Sequence, residues 1–488
     1  MSPLRRMAFG TGVLIFGQIT GQALGLIRNV LVARLISPDD FGVAATFVVS
    51  MALLEMAANM SIDRLLVQAP DGNEREFQST AHTVQALRGV LVSLAMLLMA
   101  YPFAYLFGIP EALWGFQLIA LAPLIKGFAH LDPKRFHREY RFGRDVVCEL
   151  VPQAAALLLL WPLSMFIRDY ALMLYILIAQ AVCLMLMTHM LSRTPYRWAW
   201  NKPILMRFLS FGWPLMLNGV VLFALAQGDR VIVGANYDMA VLGAYSAAAI
   251  IAMSVTTMFA KVSSNIFLPM LSKVQDDKDR FQALYSAILS LMALLSAAIG
   301  VCFILNGDWL IALLYGEEYA LASTIIKWFA VAHAFRLLKA MVIFASFALA
   351  DARTALIANL ATIVGLPLAF LVAYAQGDIV WLVLCVALSD AFALLIAMGR
   401  MRRRHGVALM RSLRPTAVVS GVLLVALAVS NRLDSGAVVD IAVTVLVLAL
   451  TAAAFFVSEP SLREESRRMV AGGMQWKAGR GEKSPGAP

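Results

Sequence analysis

Apolar runs of about 20 residues follow one another along almost the whole of this chain. Each is long enough to cross a hydrocarbon core about 30 Å thick as a helix. Lipid offers no partner to a peptide N–H or C=O, so a spanning segment must be a helix or a strand of a closed barrel. Barrel strands are short and alternate polar with apolar side chains, whereas these runs are long and evenly apolar. The expectation is an all-α polytopic membrane protein. Composition agrees: 61% of the 488 residues are hydrophobic and 14% charged, with a mean hydropathy of +0.78. Soluble domains are about half apolar and about a quarter charged. The first run follows Arg5 and Arg6 closely and is too long for the apolar core of a cleavable signal peptide.

About 14 spans can be delimited. They lie near 9–36, 41–66, 80–107, 112–131, 146–167, 170–191, 208–234, 240–270, 281–305, 320–349, 354–375, 379–399, 415–431 and 437–457. Cations crowd the loops after the fourth, sixth, eighth and twelfth spans. The first of these loops carries Lys134, Arg135, Arg138, Arg141 and Arg144, and the last carries Arg400, Arg402, Arg403, Arg404 and Arg411. Five of the alternate loops, "SPDD", "GIPEALW", "ANYDMA", "NGDW" and "QGD", hold no Lys or Arg. The positive-inside rule then puts both termini in the cytoplasm. The net charge of +10 is largely this bias and calls for no nucleic-acid partner. The loop "DPKRFHREYRFGRD" interleaves aromatics with cations. Its simpler reading is a cytoplasmic anchor, and its sharper one a contact with lipid phosphates.

Cys148, Cys183, Cys302 and Cys385 stand singly, with no CxxC or His/Cys cluster, so neither a metal nor a cofactor is expected. A GxxxxGK[ST] loop is absent, which argues against ATP hydrolysis by this chain.

One turn is written twice. "LVARLISPDDFGVAATFVV" begins at Leu31 and "VIVGANYDMAVLGAYSAA" at Val231. Overlaid without a gap, Val30 meets Val231, Val32 meets Val233 and Gly42 meets Gly243. The copies are six spans apart, an even number, so both have the same orientation and form a parallel repeat. The expected organisation is two pseudo-symmetric six-helix lobes, 1–200 and 201–405. Two additional helices in 406–460 and a disordered cytoplasmic tail, 461–488, complete it.

These two stretches resemble the paired helical hairpins of bacterial polysaccharide-export flippases. That group is the oligosaccharide branch of the multidrug/oligosaccharidyl-lipid/polysaccharide exporter superfamily. The resemblance covers roughly the first twelve spans. It implies a V-shaped two-lobed fold and a flippase rather than an enzyme. It also implies alternating access, with an undecaprenyl-pyrophosphate-linked oligosaccharide moved between leaflets for surface polysaccharide biosynthesis. The implied partners are that lipid-linked oligosaccharide, membrane lipids, and a polymerase and glycosyltransferases of the same pathway, acting with a monomeric chain. The rival within the superfamily is a cation-coupled multidrug exporter, and a cationic drug would call for carboxylates. The rival from another class is a membrane polymerase or glycosyltransferase, which would call for a sizeable outer loop or a soluble catalytic domain.

A flippase makes no covalent bond, so the residues of interest are the costly ones, charges inside spans. The expected substrate-binding cations are Arg28, Arg88, Arg230, Lys261 and Arg336. Arg28 lies about 12 Å inside the outer end of its span by helix rise. It shares a face with Gly17 and Gly21 of a GxxxGxxxG run that also includes Gly25. Such a face suits either a close helix or a bulky ligand. In the overlay Asp229 stands opposite Arg28, and Arg230 opposite Asn29. Arg336 and Lys339, three apart, share a helix face where like charges repel. A pyrophosphate between them, or the carboxylate of Asp390, relieves that repulsion, unless Lys339 reaches the cytoplasmic surface instead. Glu55, Asp229 and Asp390 are the ion-coupling candidates, and Glu55 is also a candidate partner for Arg88. His82, near a helix start, reads as structural.

Overall fold

The computed structural model describes residues 3–432 and 437–458. Among them every regular element is helical. Eleven helices are long and apolar enough to cross a bilayer, from Ala171–Met190, the shortest, to Lys278–Tyr315, the longest. A bent pair, Pro110–Gly127 with Asp132–Glu139 at 52°, makes a twelfth if it is one span. Helices also stand at the outermost expected spans, Pro3–Leu35 and Ala437–Ser458, without belonging to the eleven. The chain is thus a multi-pass helical membrane protein with eleven or twelve clear spans among the described residues, and about fourteen remains the sequence-based expectation. The expected tail at 461–488 lies outside the described residues.

Several expected spans are interrupted, each for a local reason. The fourth ends at Gly127 rather than running to 131, and the chain restarts at Asp132 with Pro133 in the first turn. The second breaks after Ala57, where Ser61 takes a left-handed φ of 47° and its N–H donates to Asn59 Oδ1 at 2.9 Å. The eleventh divides into Ala352–Ile363 and Gly365–Tyr374. There a Cβ on Gly365 would collide with Ser389.

The chain forms two compact units. The first comprises the residues up to Ser254 together with Ala312–Ala322 and Phe370–Gly377. The second comprises Val255–Ile311, Ser323–Ala369 and the described residues from Asp378 on. The core of the first unit is partly aromatic: Phe47 meets Phe116 edge-on at 4.7 Å, and Phe107 stacks on Phe116. In the second unit the two additional C-terminal helices pack on Lys278–Tyr315. Asn306 Nδ2 donates to Thr444 Oγ1 at 2.8 Å, the Tyr285 and Ser412 hydroxyls are 3.1 Å apart, and Gly300 accommodates Leu423.

The repeated turns meet one another within the first unit. Ser37 caps the helix Pro38–Ala57 by accepting the Asp40 N–H at 3.1 Å. Asp39 and Asp40 in that first turn favour the positive end of the helix dipole. A Cβ on Gly42 would collide with the carbonyl of Met239, and one on Gly243 with the carbonyl of Pro38. In the overlay Met239 is the counterpart of Pro38. Each copy therefore presents a glycine to the other copy's first turn, a reciprocal contact of the kind a two-fold axis generates. Around it, Arg34 donates to the last carbonyls of Lys278–Tyr315, with Nε to Leu314 O at 2.7 Å and Nη2 to Leu313 O. Cations at a helix C-terminus are favoured. Phe41 packs on Tyr315 and Tyr319, at 6.5 and 6.1 Å between ring centroids.

Because glycine alone fits, spin labels at Asp39 and Asp238 are expected to report this contact directly. Gly42→Ala or Gly243→Ala should lengthen the closest population by about 2 Å, the scale on which contact side chains set interhelical distance. Identical distance distributions in both variants and the parent would contradict a glycine-dependent contact.

Candidate functional site

The interior charges of the first unit are organised by a second glycine crossing. Helix Arg75–Leu106 meets helix Leu121–Gly127 so closely that a Cβ on Gly89 would lie 2.6 Å from Gly127 Cα. A Cβ on Gly127 would lie 2.8 Å from Gly89 Cα. Each glycine is preceded by a cation, Arg88 on one helix and Lys126 on the other. Both line one cavity, with Glu55, Gln85 and Val92. Gln85 Nε2 donates to the Ala129 carbonyl at 3.1 Å, serving a group freed where the helix breaks.

The pairing in this cavity differs from the expected one. Glu55 Oε1 holds Lys126 Nζ at 3.0 Å. Arg88 Nη2 donates to the Glu55 backbone carbonyl at 3.4 Å, and its Nε is buried without a partner. The break after Gly127 places Lys126 at a helix end, within reach of Glu55. Two further cavities adjoin and also include Lys126 in their walls. One, of about 270 Å³, carries Asp63, Lys134, Asp145 and Glu149, and the other carries Glu149, Gln153 and Gln180. Of the five expected cations these three cavities take in Arg88 alone.

Arg28 stands beside this system. Its Nη1 donates to Gln180 Oε1 at 2.6 Å, and its Nε is buried without a partner. The glycine run N-terminal to it is a packing face: Gly17 abuts Val146, and Gly21 and Gly25 abut Gln153, all on or beside helix Gly143–Ser164. Arg230 is buried in the same unit, with Nη1 donating to Gln227 Oε1 at 2.9 Å. Its neighbour Asp229 accepts the Tyr245 hydroxyl at 2.8 Å.

In the second unit Asp390, fully buried, holds both like-charged residues of one helix face. Arg336 Nη2 is 2.9 Å and Lys339 Nζ 2.5 Å from its carboxylate, and Lys339 also donates to Thr362 Oγ1 at 2.7 Å. The carboxylate alternative is the one realised. Lys339 does not reach a surface, because burial between Asp390 and Thr362 keeps it inside. Lys261 is exposed, and among the described residues it has no ion-pair partner.

The basic loop is stitched to its own surroundings. Arg138 Nη1 donates to the carbonyls of Leu66 and Val67 at 3.1 and 2.9 Å, closing the helix Ile62–Gln68. Lys134 pairs with Asp145 at 2.8 Å, and Arg135, Arg144 and Arg193 surround the Phe136 ring. Its cations are largely occupied by the fold. His82 is structural as expected: it accepts the Leu131 N–H at 3.3 Å and stacks on Tyr196. Sequence reasoning missed His130, which packs edge-on against His82 and accepts the Asp132 N–H at 3.0 Å. Burial pushes its imidazole below the usual histidine range. Lys126 was missed too. The signal that could have found it is the repeated cation-glycine pair, Arg88-Gly89 and Lys126-Gly127.

Many apolar spans, with charged groups held inside them, define a polytopic helical membrane protein. The chain belongs to the polysaccharide biosynthesis protein family, whose sequence profile matches residues 31–324. Among curated relatives it is similar to an uncharacterized membrane protein in the cps region of Klebsiella pneumoniae. The identity is 19% over 64% of this chain and 65% of that one. It is also similar to the succinoglycan biosynthesis transport protein ExoT of Rhizobium meliloti, at 21% over 61% of this chain and 60% of that one. It thus spans less than two thirds of the length of either relative. Its fold is that of the lipid II flippase MurJ in an inward closed conformation, with a TM-score of 0.68 and 15% identity. That match covers 91% of this chain and 99% of the other. An inward-facing multidrug resistance transporter of the MATE family follows with a TM-score of 0.62 and 13% identity, over 82% and 99% of the two chains.

Asp390 pairs with both Arg336 and Lys339, so its neutralisation should be felt as lost stability. Asp390→Asn is expected to cost roughly 3–5 kcal/mol, the range for breaking a buried pair. Thermal unfolding of the detergent-solubilised protein measures it, and a melting temperature equal to the parent's would show that the cluster is not held by this charge.

Proposed function

We propose that this chain is a flippase for a lipid-linked oligosaccharide of surface polysaccharide biosynthesis. In this reading undecaprenyl pyrophosphate is the carrier, and the route crosses the bacterial inner membrane by alternating access. Both chain ends then face the cytoplasm, which reporter fusions after Arg404 check. Six-helix lobes at 1–200 and 201–405 move about the repeated hairpins. The observation that carries the proposal is a pair of guanidiniums inside the first unit that no carboxylate holds directly. Arg28 Nη1 donates to a neutral amide and Arg88 Nη2 to a backbone carbonyl, and the Nε of each is buried without a partner. A guanidinium with an open donor in a low-dielectric interior favours an anionic ligand, and a diphosphate headgroup is one. A guanidinium grips it through two parallel hydrogen bonds. Arg230, Lys261 and Arg336 extend the cationic set, with Glu55, Asp229 and Asp390 as candidates for ion coupling. Family membership and the MurJ-like fold support a transport role over covalent chemistry.

Arg28→Ala is expected to lower polymer export roughly tenfold, the scale of one charge-assisted hydrogen bond, and Arg28→Lys by less. Arg336 should follow the same order. Export and membrane abundance are measured in the same cells, because a packing role would lower abundance instead. Normal export from the double alanine variant at normal abundance removes both residues from the site.

A further inference from the structure

Lys126 is where three cavities of the first unit meet. It is half-buried and bound by one carboxylate oxygen of Glu55 at 3.0 Å. Across the Gly89–Gly127 crossing, Arg88 turns one nitrogen to a backbone carbonyl and leaves Nε without a partner. The two cations therefore line a cavity of about 180 Å³, room for roughly six water molecules. Lys134, on the adjoining cavity, is already held by Asp145 and Glu149, at 2.8 and 3.4 Å. Asp63 is exposed on that cavity's wall. Among the described residues Glu55 is thus the carboxylate in an ion pair with either cation, and Asp63 acts on Arg88 only through space.

We propose that Arg88 and Lys126 form a binding site for a phosphate or diphosphate group, with Glu55 as its resident competitor, giving up Lys126 when the anion arrives. The proposal rests on the flippase reading and deepens it by adding Lys126 to the binding cations and naming the group that occupies it beforehand. Three properties favour exchange. A diphosphate carries more charge than a carboxylate and offers more acceptor oxygens, so it can take Arg88 and Lys126 together. The glycine crossing sets both cations on neighbouring backbones, so binding needs no helix movement to gather them. Glu55 keeps 26% of its side-chain surface exposed, so water can solvate it once displaced. Such a site is occupied by its own counter-ion when empty, which removes the cost of an unanswered ammonium in the membrane interior.

The test is calorimetric titration of the purified full chain with inorganic pyrophosphate and, separately, with undecaprenyl pyrophosphate. Glu55→Gln, which keeps the shape and removes the charge, is expected to tighten binding about fivefold or more. Lys126→Gln should weaken it, and in the Lys126→Gln background Glu55→Gln should give no gain. Lys126→Arg, which keeps the charge, should retain the coupling should the glutamine variant not fold. Binding of both ligands assigns the site to any diphosphate, binding of the lipid alone assigns it to the carrier headgroup, and the proposal stands in either case. An equal gain from Glu55→Gln with and without Lys126 would mean a general field effect and overturn it. Lost coupling with undecaprenyl pyrophosphate still bound by the parent overturns this site and leaves the flippase reading standing. No binding of undecaprenyl pyrophosphate to the parent removes both.

Discussion

A positive side chain in a membrane interior has to be answered by an opposite charge, a dipole or water, because the hydrocarbon answers nothing. The arrangement of this protein follows from that requirement. Lys126 is answered by Glu55, Lys339 and Arg336 by Asp390, Arg28 by the amide of Gln180, and Arg230 by the amide of Gln227. Arg28 and Arg230 are thus held inside by neutral amides, and the other three cations by carboxylates.

Glycine makes these pairings geometrically possible. At Gly89 and Gly127 two helix backbones touch, and the cations preceding them are carried to one cavity. At Gly42 and Gly243 the same device joins the two copies of the repeated turn, each to the first turn of the other. Close approach compensates for the missing hydrophobic drive between helices in lipid, where packing and polar contacts have to hold them. The turn is written twice because its two copies are built to meet.

Much of this was legible in the sequence. The helical class followed from the length of the apolar runs, since lipid leaves few alternatives. The overlay that matched Gly42 with Gly243 marked a contact, although only coordinates show that the matched residues touch each other's copies. Asp390 could be named as a partner for Arg336 and Lys339 because spacing puts those two cations on one face. The partner of Glu55 could not. Arg88 was the cation in view, and Lys126 comes within reach only because the helix ends at Gly127, a break that Pro123 and Pro133 hint at without locating. The glycine run near Arg28 was ambiguous for a similar reason. Spacing shows a smooth face, and only Val146 and Gln153 show what fills it. The first and last helices stay outside the eleven clear spans, the last because its apolar stretch, Val439–Ala453, is short.

Transport itself is the most direct test. The purified chain is reconstituted into liposomes that carry a fluorescent undecaprenyl-pyrophosphate-linked oligosaccharide in both leaflets, and an impermeant reagent then reads how much becomes accessible. The account predicts that the parent chain exposes nearly the whole pool, while liposomes holding a variant with Arg28, Arg88 and Lys126 all replaced by glutamine expose only the outer-leaflet share. Accessibility in the parent no greater than in protein-free liposomes, across the range of ion gradients, would contradict it.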